Sequence, residues 1–172
     1  MERRHELLEA TAAYLLRNGV AGLSLRPLAA AIDTKARLLI YHFGSKEQLL
    51  IEAMQLIRSR AQMRLQAMIR DELRGADAGT MLRAFWKWTT SRQNRPFLRL
   101  FFEVHGLALQ YPKQYSGYLR GAVRGWVEML GSDVKATLIV GAIDGLLLDL
   151  LSTGDLKRTT KAINELARRL KK

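Results

Sequence analysis

Ser24-Leu25-Arg26-Pro27-Leu28-Ala29-Ala30-Ala31, then Ile32-Asp33-Thr34, then Lys35-Ala36-Arg37-Leu38-Leu39-Ile40-Tyr41-His42 is the stretch that decides the fold. Two short segments of helical period flank a connection of three residues, which predicts helices over 25–31 and 35–42 joined by a tight turn. Ser24 stands where an N-cap belongs. Pro27 is tolerated in the first turn, because the N–H groups there lack intrahelical partners. Asp33 takes a left-handed turn conformation with a smaller penalty than most residues.

Working outward, Leu8, Ala12, Leu15 and Leu16 form one stripe of a preceding helix over 2–18, ended by Asn18-Gly19. On the other side, Ser45 and Gln48 read as a capping box, with Glu47 in a first turn where the helix dipole favours an anion. The helix they open should run to about Arg70, roughly 37 Å at 1.5 Å per residue. Gly75-Ala76-Asp77-Ala78-Gly79 is the clearest break in the chain. Helices are predicted beyond it over 80–92, 95–109, 115–130, 134–152 and 156–170. No alternating strand pattern appears. The expectation is an all-α protein of about nine helices: an N-terminal three-helix helix-turn-helix domain over 1–45 and a C-terminal helical domain over 46–172. Two short helices around a tight turn let one lie in a major groove while the other braces it. Any small three-helix bundle shares that pattern.

The residues themselves say more. Leu7-Leu8-Glu9-Ala10, Gly19-Val20-Ala21-Gly22-Leu23-Ser24-Leu25-Arg26, Leu28-Ala29 and Leu39-Ile40-Tyr41-His42-Phe43-Gly44-Ser45-Lys46-Glu47 resemble the N-terminal domain of the TetR family of transcriptional regulators. The match spans about 45 residues, and Tyr41-His42-Phe43 followed by Ser45-Lys46-Glu47 is its most specific part. There are departures. Asp33 stands where the family usually has Gly in the turn, Lys35 where it has a small residue or Ser, and Ile40 where it has a common phosphate-contacting tyrosine. The resemblance implies a homodimeric, sequence-specific DNA-binding regulator, expected to be a cytoplasmic repressor released from a near-palindromic operator by a small hydrophobic inducer.

Chemistry assigns the DNA contacts. Lys35, Ala36 and Arg37 open the third helix, where a recognition helix touches base edges. Arg37 either pairs bidentately with guanine O6 and N7 or contacts phosphate. The resemblance implies that Tyr41 and His42 donate to phosphate, and a histidine packed between helices is the other reading of His42. Lys46 adds charge to a helix N-terminus, a ready anion site, and Ser24 and Arg26 mark the same feature at the second helix. Leu39 and Phe43 read as core.

Net charge is +12, with 28 basic against 16 acidic side chains, a footprint suited to polyanions. Yet residues 1–50 hold seven basic and five acidic groups, so the excess lies outside the expected reader. The chain has no cysteine, which excludes disulfides, thiolate zinc sites and cysteine nucleophiles. Its longest apolar run, Ala136 to Leu151, is interrupted by Asp144 and Asp149 and is too short and charged to span a bilayer. The three histidines, His5, His42 and His105, have no ligand-spaced partner, so no enzyme, metal or cofactor is expected. A helical adaptor that kept the fold and lost DNA binding is the rival from a third class.

In the C-terminal domain, Thr137, Gly141, Gly145 and Leu148 share one helical face, a small-residue strip that admits a close neighbour. Ile163, Leu166 and Leu170 give the last helix an apolar seam, and these two helices are expected to form the dimer interface. The aromatics between, with Phe85, Trp88, Phe102, His105 and Trp126 as walls, are expected to line a largely apolar inducer pocket.

Overall fold

The computed structural model describes residues 2–115 and 133–170. Among them lie eight complete helices and no strand: α1 Glu2–Asn18, α2 Leu25–Ala31, α3 Ala36–Phe43, α4 Lys46–Glu72, α5 Ala78–Thr89, α6 Arg95–Gln110, α7 Asp133–Thr153 and α8 Leu156–Arg169. Residues 112–115 are helical as well. The rest of the helix expected over 115–130 lies outside the described residues. Among the described residues no helix is long and apolar enough to cross a membrane.

Local chemistry sets most boundaries. Gly19 ends α1 at φ 77°, its N–H donating to Leu15 O at 2.8 Å. Asp33 carries the turn at φ 51°, as its residue type suggested. Two expected caps differ in kind. Ser45 Oγ accepts the Gln48 N–H at 3.0 Å, but the Gln48 side chain turns to Glu52 at 3.1 Å, so only half of the reciprocal box forms. Ser24 occupies the N-cap of α2 without a side-chain cap bond. Lys35 is the extended N-cap of α3 rather than its first helical residue. Asp77 supplies a cap that composition had marked only as a break, accepting from Thr80 N at 3.0 Å and Thr80 Oγ1 at 2.8 Å; α5 therefore begins two residues earlier than predicted.

The chain divides into two compact units, Met1–Gln62 with Arg99–Leu119, and Met63–Leu98 with Arg120–Lys172. In the first, Leu7, Leu28, Ala29, Leu39, Phe43 and Leu49 form one buried cluster. The buried face of α1 is Leu7, Thr11, Ala12 and Leu15, one step round from the expected stripe. Thr11 is buried without penalty because its hydroxyl donates to Leu7 O at 2.7 Å. From α6, Glu103 accepts the Val20 N–H at 2.7 Å, and Arg99 donates to Arg17 O at 3.0 Å, so the end of α1 is held by side chains.

In the second unit α5 and α8 are close neighbours. The Trp86 indole is buried and donates to Thr160 Oγ1 at 2.9 Å. A Cβ on Gly79 would lie 2.3 Å from the Ala167 carbonyl oxygen, so glycine is what permits this approach. Gly79→Ala is expected to destabilise by about 1–3 kcal/mol, since backbone on α8 must move to admit the methyl. Calorimetry checks it: a melting temperature several degrees lower is expected, and an unchanged one would show that the two helices separate freely. Arg158 makes a two-pronged contact with Asp149 (2.7 Å each) that joins α7 to α8 and holds the Asp149 carboxyl below its usual pKa.

Ile163 is fully buried within this unit, and Ala167 beside it likewise. Ile163 was expected to face a partner. It packs inside its own chain instead, because the apolar seam of α8 is used against helices of the same unit. Leu166 and Leu170 are half-buried.

Candidate nucleic-acid interface

The turn and α3 present one continuous exposed edge. Thr34 N donates to Ala29 O at 2.9 Å, which folds the turn back on α2. Leu39 and Phe43 are buried on the inner side of α3, and Lys35, Arg37 and Tyr41 are exposed on the outer side. Tyr41 is 80 % exposed, high for an aromatic with nothing to do but pack. Thr34, Lys35, Arg37, Leu38 and Tyr41 line a concavity of about 570 Å³. Its walls come from side-chain carbon as well as charge. Thr34 and Leu38 were not among the expected site residues; Leu38 follows from lying three positions after Lys35 and three before Tyr41, the spacing of one helical face.

Ser24 and Arg26 at the start of α2 are exposed, and Ala36 at the start of α3 is half-exposed. His42 is half-buried and lies edge-on to Tyr41 at 5.1 Å and to Phe43 at 6.4 Å, a position between surface and core. Lys46, in the first turn of α4, sits 3.9 Å from Glu47, a loose pair that leaves most of its charge uncompensated.

Pairing explains how a segment of small net charge can carry a basic edge. Glu6 pairs with Arg3 at 3.0 Å, Glu52 with Arg4 at 2.7 Å, and Glu9 with Arg60 and His5. Arg26, Lys35 and Arg37 have no ion pair among the described residues. Glu6, Glu9 and Glu52 are thus occupied by other basic side chains, and counting charge along the chain hides this.

The expected ligand walls fall in both units. Phe85 lies 6.2 Å from Trp88 in the second unit, and Phe102 lies 6.3 Å from His105 in the first. His105 Nδ1 lies 2.8 Å from Phe101 O, and a carbonyl can only accept, so Nδ1 carries the proton. The ring lies 4.0 Å from that of Phe101, tilted by 48°, and Phe101 was not among the expected walls. Trp126 lies outside the described residues. On α7, Gly141, Gly145 and Leu148 are exposed together with Thr137, while Ile139, Ile143, Leu147 and Leu150 are buried on the other side. Val134 (70 %) and Leu138 (69 %) extend that exposed face and were also missed.

Residues 7–53 match the model of the bacterial regulatory proteins of the tetR family. No curated protein sequence matches the chain significantly. Among solved structures, the multidrug binding protein EbrR complexed with imidazole is 25 % identical, with a TM-score of 0.76 over 98 % of this chain and 89 % of that one. The same protein complexed with proflavin is also 25 % identical, at a TM-score of 0.69 over 98 % and 99 %. A TetR-family member from Streptomyces coelicolor A3 is similar in fold at 24 % identity and a TM-score of 0.74, covering 99 % of this chain and 98 % of that one. Residues 7–53 thus match the DNA-binding segment of the tetR-family regulators, and the chain as a whole is similar in fold to solved structures of such regulators.

Proposed function

We propose that the chain is a homodimeric repressor that reads a near-palindromic double-stranded operator in the cytoplasm and leaves it when a small, largely apolar ligand binds. The observation that carries this is the exposed edge of α2 and α3, where Arg26, Lys35 and Arg37 stand without ion pairs among the described residues and Lys35 and Arg37 line an open concavity. Lys35, Ala36 and Arg37 meet base edges. Ser24, Arg26, Tyr41, His42 and Lys46 meet phosphates and fix the register. Residues 1–45 act as reader and 46–172 as the regulatory part. One recognition helix reads only a few base pairs, so a two-fold pair on a two-fold site is what gives useful specificity.

The aromatic residues Phe85, Trp88, Phe102, His105 and Trp126 support a ligand that is planar and mostly apolar. EbrR, similar over nearly the whole chain, is complexed with proflavin, a planar aromatic cation, which makes charge on the ligand the first variable to explore. Release requires only that the ligand bind the DNA-free state more tightly, and about 1–3 kcal/mol of coupling is typical.

One experiment tests both halves. Wild-type protein is used to enrich duplexes from random DNA, and the enriched duplex is then challenged with neutral, acidic and cationic planar aromatics while tryptophan emission is followed. The expected result is an inverted repeat whose half-site centres lie about one helical turn or a multiple apart, followed by release in one ligand class together with a change in emission. Enrichment without symmetry removes the dimeric reader. Symmetric enrichment with no release, quenching or thermal shift removes the inducer and leaves the reader.

A further inference from the structure

Arg4, at the start of α1, is none of the proposed base or phosphate contacts, yet it touches the far end of the recognition helix α3. Its Nε donates to His42 O at 3.1 Å, and its Nη2 donates to both carboxylate oxygens of Glu52 on α4, at 2.9 and 2.7 Å. The guanidinium carbon also lies 4.6 Å from the centroid of the Phe43 ring, a cation–π distance. His42 O belongs to the last turn of α3, whose carbonyls have no intrahelical donor. Glu52 is itself oriented, since the Gln48 side chain donates to its Oε1 at 3.1 Å and the Gln48 N–H is fixed by Ser45 at 3.0 Å.

We infer that Arg4 and Glu52 form a positioning pair for DNA reading, locking the C-terminal end of α3 to α1 and α4 so that Lys35, Ala36 and Arg37 at its other end enter the groove at a fixed angle. The inference rests on the DNA-reading function proposed above. An eight-residue helix has too few internal bonds to hold its own direction, so its orientation must come from outside. Leu39 and Phe43 anchor one side of it in the core. The guanidinium fork supplies the directional restraint, because its planar donors meet a carbonyl and a carboxylate in one fixed geometry that a lysine cannot reproduce.

The charge of Glu52 separates positioning from electrostatics. Glu52→Gln makes the protein more positive, and attraction to phosphate alone then predicts tighter binding to every duplex. Positioning predicts the reverse for the preferred duplex. The probes are the duplex enriched by wild-type protein and a scrambled duplex of equal length, compared over a salt series. Glu52→Gln and Arg4→Met are each expected to lower the preferred-to-scrambled affinity ratio about tenfold, comparable to losing one base contact. Arg4→Lys is expected to recover part of what Arg4→Met loses. In the free protein, amides of residues 40–44 are expected to exchange faster with solvent in Glu52→Gln, a readout that needs no DNA and a nearly isosteric variant that folds. A Glu52→Gln protein that binds the preferred duplex as tightly as wild type, or that melts lower with its affinity ratio unchanged, overturns the inference. Wild-type protein that enriches no duplex overturns the DNA reading and this pair with it. Enrichment retained in full by both variants overturns the pair alone.

Discussion

Gly145→Leu is expected to yield monomers by light scattering and to lower affinity for the operator by at least about a hundredfold, since one recognition helix reads only half a site. The argument starts from what the substitution leaves intact. Among the described residues a Cβ on Gly145 meets nothing within 4 Å, and the residue is exposed in the middle of α7. Replacing a mid-helix glycine by leucine raises helix propensity by roughly 0.5–1 kcal/mol, so the isolated chain should be no less stable. What changes is the face. Val134, Leu138 and Leu148 are 70 %, 69 % and 52 % exposed, and with Gly141 and Gly145 they make an apolar strip whose centre is flat. An exposed strip of that kind suits association, and in the proposed dimer Gly141 and Gly145 would set how closely a partner helix can approach. A leucine at its centre holds the partner away. The proposed two-fold contact presents the same residue from both copies, so each dimer suffers the intrusion twice. A variant that remains dimeric at micromolar concentration places the interface on another surface. Gly79→Ala serves as the contrast, since its Cβ collides within the chain and should lower the melting temperature.

The two glycines also show what a sequence can disclose. Gly145 and Gly79 are both small residues inside helices, and only their neighbours in space distinguish a strip left open from a contact already made. The all-α architecture was legible because period and stop signals are local: Gly19, Asp33 and Ser45 act through bonds to residues at most four positions away. Long-range pairing was not. Thr11 lies on the buried face of α1 because a hydroxyl can donate to the carbonyl four residues back, and hydropathy counts it as polar. Ile163 read as a free seam because its packing against the rest of its own unit involves residues far away in the chain. Charge misled in the same manner. The small net charge of residues 1–50 is real, but Glu9 pairs with Arg60, a partner beyond the segment. The base-facing candidates Lys35 and Arg37 were legible from the helix start, whereas Arg4 required knowing that α1 begins beside the end of α3.

The unpaired state of Arg37 leads to the second large effect. Arg37→Ala is expected to weaken binding to the preferred operator by about 1–3 kcal/mol per half-site and to flatten selectivity at one base pair of each half. Per half-site that is roughly 5–150-fold. Two observations favour base reading. Arg37 is exposed at the second residue of α3, on the wall of the concavity, and no carboxylate among the described residues must be given up before its guanidinium can meet guanine O6 and N7. Leu38 and Tyr41 line the same concavity and give it an apolar and aromatic wall beside the guanidinium. Lys46→Ala is the matched comparison. Its ammonium stands at the start of α4, and its one ion pair among the described residues is with Glu47 at 3.9 Å; a point charge at a helix N-terminus suits a phosphate whatever the base. That variant is expected to weaken all duplexes alike and to make the salt dependence shallower by about one unit per half-site. Titrations of single-base operator variants at several salt concentrations separate the two. If Arg37→Ala also weakens every duplex equally and shifts the salt slope, its guanidinium lies on phosphate, and base reading falls to Lys35 and the apolar wall of Leu38.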